Sequence, residues 1–184
     1  MNTFHKLLSF QRDIFETNTS KGFWPEGRNK GEAVMLIITE LSEAVESDRK
    51  KKRYDKEYNP VAHNQGDFFL GVFEKWCKDT VEDEMADTVI RLLDCAYGFA
   101  WELFEKNYDK ESLQNFGHDV LRLNWYILLA FEEKTELHPG KDWGYALSAI
   151  VKFCEWYQID IVQHVEWKLK YNKTRAYMHG GKSY

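Results

Sequence analysis

What this chain lacks narrows its chemistry before any motif is read. Its three cysteines, Cys77, Cys95 and Cys154, lie far apart and form no Cys-x-x-Cys. An odd, scattered set excludes a disulfide framework and suits free, buried thiols in a reducing compartment. The six histidines form no His-x-x-x-His and no Cys/His cluster, which argues against zinc. There is no Gly-rich phosphate loop and no Gly-x-Ser-x-Gly elbow. Positive charge is in deficit, with a formal net charge of −5, so the field that non-specific nucleic-acid binding needs is missing. Long apolar runs are missing too. The most apolar stretch, Val120 to Phe131, is too short to span a bilayer and contains Arg122 and Asn124. The first residues, Met1 to Lys6, lack the apolar core of a signal peptide. These absences predict a cytoplasmic protein with no membrane and no nucleic-acid partner.

What the chain has in abundance is aromatic residues: seven Trp, ten Tyr and twelve Phe. Its 184 residues suit one domain, 1–184, with a sizeable core. Phe4, Leu7, Leu8, Gln11, Ile14 and Phe15 form a helical stripe, predicting a first helix over 3–17. Phe23-Trp24-Pro25-Glu26-Gly27 reads as a loop. A second helix is expected from Lys30 to Lys50, with Ala33 to Ile38 apolar on all sides and so buried all round. Residues 54–77 read as a long connection. A third helix is expected from Lys78 to Asn107, with Met85, Val89, Leu92, Leu93, Ala96 and Ala100 on one face and Glu84, Asp87, Arg91 and Asp94 opposite. A fourth is expected over Ser112 to Leu137, and a last over Trp143 to Tyr171, breakable near Gln158-Ile159-Asp160. No alternating strand pattern appears, so the fold class is all-α.

Two acidic pairs stand out, Glu40-Leu41-Ser42-Glu43 and Glu84-Met85-Ala86-Asp87. On a helix, i,i+3 spacing puts both carboxylates on one face, with Cβ atoms about 5–6 Å apart. Two such helices packed antiparallel would gather four carboxylates. One like-charged pair at ~6 Å costs about 3 kcal/mol at an effective dielectric of ~20. A hard divalent cation with oxygen ligands, Mg²⁺ above all, removes that cost. Near the C-terminus, Lys168, Asn172 and Arg175 are spaced i, i+4, i+7 and would share one face of a continuing helix. Arg offers phosphate a fork, Lys a point charge and Asn an orientable amide.

Lys21-Gly22-Phe23-Trp24 with Asn29-Lys30-Gly31-Glu32, running into Glu40-Leu41-Ser42-Glu43-Ala44, resembles the first half of a MazG-like nucleotide pyrophosphohydrolase. Glu82 to Arg91 resembles the family's second acidic motif, and Lys168 to Gly180 its C-terminal Lys/Asn/Arg motif. The resemblance implies an all-α four-helix core, here with an additional inserted helix. It implies Mg²⁺ bound by Glu40, Glu43, Glu84 and Asp87, with Mn²⁺ as a substitute. It implies hydrolysis of a nucleoside triphosphate to the monophosphate and pyrophosphate, and a homodimer. Lys168, Asn172 and Arg175 would clamp phosphates, and Phe23 or Trp24 would contact the base. Glu43 is assigned the part of orienting or deprotonating the attacking water.

Blander readings stand beside these. Glu84 and Asp87 could form a solvated face, with Asp87 paired to Arg91. Asp94 reads as a buried hydrogen-bond partner rather than a ligand, and Phe23 and Trp24 as anchors of their loop. The run Arg49 to Arg53 reads as a solvated helix end. A rival function is a catalytically silent helical module that senses nucleotides or pairs with a protein. Within enzymes, specificity for dUTP, dCTP or phosphoribosyl-ATP also remains open.

Overall fold

A computed structural model describes residues 1–64, 66–108, 113–132 and 142–177, and among these the chain is all helix and connection, with no strand. The helices are α1 (Thr3–Ser9), α2 (Gln11–Ser20), α3 (Lys30–Arg49), α4 (Pro60–His63), α5 (Phe69–Trp76), α6 (Val81–Gly98), α7 (Phe116–Phe131), α8 (Trp143–Trp156) and α9 (Ile161–Thr174). No helix among the described residues is long and apolar enough to cross a membrane.

Side-chain caps fix where most helices begin. Asn29 accepts from the Glu32 N–H at the start of α3, and Thr80 from the Asp83 N–H at the start of α6. Asn115, Asp142 and Asp160 do the same for α7, α8 and α9. Each such cap satisfies a backbone donor that the helix itself leaves unpaired, worth about 1 kcal/mol.

The core is built around α6, which packs against α3, α2, α9 and α8. Met85, Val89, Leu92 and Leu93 are fully buried there, each worth roughly 1.5–3 kcal/mol. The α7 helix packs on α3 and α8. A smaller cluster of Tyr54, Val61, Phe69, Phe73, Cys77, Trp167 and Tyr171 ties the 54–77 connection to α9. That region therefore carries two short helices and a core of its own, and it braces α9 beside the acidic motifs.

Several expected boundaries shift. The first helix is interrupted at Phe10 and runs on to Ser20 rather than stopping at 17. The third ends at Gly98, because Ala100 turns left-handed (φ 55) and the Trp101 N–H bonds back to the Ala96 carbonyl. The fourth begins at Phe116, and residues 133–137 of its expected span lie outside the described residues. The last stretch does break, with Gln158 at φ 55 between α8 and α9. The α3 helix is not buried on every side: Ala33, Val34 and Ile37 are covered, while Met35 is 56% exposed.

Candidate functional site

A cleft of about 290 Å³ opens where α3, α6 and the end of α9 converge. All four acids of the two motifs line it, together with Lys168, Asn172, Arg175 and Phe23. Of the sequence-predicted set only Trp24 stands outside the lining.

The acids are not equivalent. Glu40, Glu84 and Asp87 each bring a carboxylate oxygen within 4.8 Å of the others, whereas Glu43 is exposed and stands apart from that trio. Glu40 and Glu84 are buried, at 6% and 5% exposure. A solvated face is therefore the wrong description of α6, since Glu82, Asp83 and Asp94 are buried as well. Arg91 pairs with Glu40 across the helix interface, not with Asp87 one turn away. Burial pushes the Glu84 carboxyl up to about 9, and the Asp87 and Asp83 charges add to it. Glu40 is raised as well, by burial and then by Asp87, against the opposing pull of Arg91. Three carboxylate oxygens this close form a group that could hold a hard cation.

Lys168 reaches the same point from α9. Its ammonium lies 2.7 Å from both an Asp83 and an Asp87 oxygen. Burial disfavours that charge, but the Asp87 and Asp83 carboxylates outweigh it and hold the Lys168 pKa above its ordinary value. Asn172 sits one turn on, its side-chain oxygen buried without a hydrogen-bond partner. Arg175 is not on the helix: it is the residue after α9, in extended backbone, and it still lines the cleft. Lys21 fixes this end of α9 by donating to the carbonyls of Asn172 and Arg175.

The loop before α3 forms the opposite wall. Trp24 packs between Phe15 and Phe99 and donates to Asp94 at 2.9 Å, so it anchors the loop, and Asp94 is the buried acceptor the sequence suggested. Burial lifts Asp94 to about 6, with Asn18 and Trp24 hydrogen bonds opposing. Phe23 turns into the cleft beside Arg28, whose guanidinium lies over the Trp24 ring at 4.8 Å.

Polar and aromatic lining residues to which the sequence reading gave no site role are Asn18, Arg28, Thr39, Lys78, Asp79 and Tyr171. Asp83 was missed too, although it is central to the ion cluster. Its sequence signal was present, a third consecutive acid in Glu82-Asp83-Glu84, but acids at a helix start are explained equally well by the helix dipole. At the closing end of α3, Arg49 pairs with Glu46 in solvent, as a helix end should. Comparisons of this chain with protein-family models, with curated proteins and with solved structures give no match.

Proposed function

We propose that this protein is a Mg²⁺-dependent hydrolase of nucleoside triphosphates, releasing the monophosphate and pyrophosphate, with Mn²⁺ able to replace Mg²⁺. The observation that carries this reading is a single cleft in which Glu40, Glu84 and Asp87 converge while Lys168, Asn172, Arg175 and Arg28 line the same space. A triphosphate needs both: oxygen ligands for its cation and basic groups for its own oxygens. In this reading α2, α3, α6 and α9 are the MazG-like four-helix core, and α7 with α8 is the insertion.

The donor set fits the cation. It is all carboxylate, with no sulfur or imidazole, which favours hard divalent ions. Burial, and after it the neighbouring carboxylates, raise Glu84 and Glu40, and a cation among them would favour their ionised forms. Glu40, Glu84 and Asp87 would hold the ion. When bound, it neutralises phosphate charge and polarises the phosphorus–oxygen bonds.

Every other task falls to side chains. Arg91 keeps Glu40 turned into the cleft. Glu43, exposed one turn along α3 from Glu40, orients a water and accepts its proton. The water oxygen bonds to phosphorus, the phosphoanhydride bond breaks, and pyrophosphate leaves with the electron pair. Lys168 has a third N–H beyond those given to Asp83 and Asp87, and Arg175 and Asn172 offer further donors to the leaving phosphates. Phe23 offers an aromatic face to the base.

The test is a panel of NTPs and dNTPs incubated with Mg²⁺, with Mn²⁺ and with a chelator, assayed for pyrophosphate and monophosphate. Equimolar release of both products, abolished by the chelator, is expected for at least one nucleotide. Binding without turnover across the panel would instead make the chain a silent nucleotide module.

A further inference from the structure

One ion cluster at the edge of the cleft has a division of labour in its geometry. The Lys168 ammonium is shared by two carboxylates at the same distance, 2.7 Å, but the two are held very differently. Asp83 is 1% exposed, whereas 20% of the Asp87 side chain faces the cleft. The Asp83 oxygen that meets Lys168 also accepts the Asp79 N–H at 2.9 Å. Asp79 is itself fixed, in left-handed backbone (φ 56) with its carbonyl taking the Ser47 hydroxyl at 2.9 Å. The other Asp83 oxygen is buried with no partner. Asp83 also brings an oxygen within 4.8 Å of Asp79 and Glu84 oxygens, but the cation it holds is Lys168, through the oxygen that the Asp79 N–H fixes. Asp87 can turn, and it belongs to the trio with Glu40 and Glu84.

We propose that Asp83 is a positioning residue that anchors the Lys168 ammonium, leaving Asp87 available to a divalent cation. This rests on the metal-binding reading of the cleft and goes beyond it. Without the anchor, Asp87 would be the carboxylate left at ion-pair distance from Lys168 among the described residues, and the ammonium would compete with the cation for it. Asp83 acts through Lys168 and touches neither the cation nor the substrate.

The test is a double-mutant cycle read by Mn²⁺ binding in the absence of nucleotide, from the electron paramagnetic resonance signal of free Mn²⁺ and by calorimetry. Asp83→Asn keeps the size and the acceptor but removes the charge. It should raise the Mn²⁺ dissociation constant about tenfold in the native background, and by less than about twofold when Lys168→Met is already present, because the competitor is then gone. Lys168→Met alone should tighten Mn²⁺ binding, which keeps the proposal testable should Asp83→Asn not fold. Equal weakening by Asp83→Asn in both backgrounds would make Asp83 a ligand or a general field effect and overturn the proposal, as would unchanged or weaker binding in Lys168→Met. Absence of Mn²⁺ binding to the native protein would overturn the metal reading itself and this inference with it, so the two failures are distinguishable.

Discussion

Replacing Glu84 by Gln should stabilise the metal-free protein near neutral pH, an unusual direction for a change at a buried charged residue. Glu84 carries a carboxyl raised to about 9 from an ordinary 4.5, through burial and the nearby Asp87 and Asp83. A raised folded-state pKa means that the contribution to stability is complete below about 4.5 and drains away as the pH climbs toward 9. Each pH unit is worth about 1.4 kcal/mol, so by pH ~7 the unscreened penalty is about 3 kcal/mol. Glu84 is buried but lines an open cleft, and screening and relaxation there reduce that to about 1–2 kcal/mol. Gln mimics the protonated acid and removes the penalty. For a chain of this size the melting temperature should rise by about 2–8 °C. The assay is thermal unfolding followed by circular dichroism with a chelator present, at pH ~5 and pH ~8. The gain should be small at the lower pH and large at the higher. On the proposed metal reading, Mg²⁺ should stabilise the native chain by about 2.7 kcal/mol at a hundredfold excess over the dissociation constant, and the same variant should lose that gain. A Glu84→Gln protein that melts lower than native at pH ~8, or a gain that does not vary with pH, would refute the electrostatic reasoning.

Gly98→Ala should be costly, since an added Cβ would lie 2.1 Å from the Trp24 ring; overpacking and a weakened Trp24–Asp94 bond predict a loss of about 2–4 kcal/mol by chemical denaturation. Lys21→Met frees the end of α9 at Asn172 and the Arg175 that follows the helix, and should raise KM for the triphosphate several-fold while kcat changes little. Arg175→Ala should lower kcat/KM by roughly one to three orders of magnitude with unchanged melting temperature, and an unaltered rate below saturation would remove it from phosphate binding. We propose that the homodimer implied by the family resemblance forms through α7, where Leu121, Trp125 and Leu128 are 67%, 45% and 43% exposed; Trp125→Glu should then shift sedimentation from about twice the 21.9 kDa chain mass to that mass.

The helices whose ends are set by short-range chemistry were legible in the sequence. The expected span Lys30 to Lys50 matches α3, which the structure starts at an Asn29 cap and ends at Arg49, and the break between α8 and α9 fell where Gln158 stands. Boundaries set by tertiary contact were not. Nothing local in Gly98-Phe99-Ala100 says that the Trp24 ring crowds Gly98 and that the helix stops there. The connection 54–77 hid α4 and α5 because their burial depends on Trp167 and Tyr171, a hundred residues on. Both i,i+3 pairs line the cleft, but spacing carries no depth. Glu43 and Glu40 share a face in the sequence, yet only Glu40 is drawn into the close trio, because Arg91 reaches it from α6. The partnership of Lys168 with Asp83 was invisible for the same reason: it joins residues far apart in the chain that only the packing of α6 on α9 brings together.

The most direct test of the catalytic reading compares native protein with Asp87→Asn in one pyrophosphate-release assay, with and without Mg²⁺, on the best nucleotide of the panel. The account predicts Mg²⁺-dependent release by the native chain and loss of about three orders of magnitude or more in the variant, with the helical circular dichroism of both unchanged. Release that persists in Asp87→Asn, or that proceeds equally in a chelator, would contradict it.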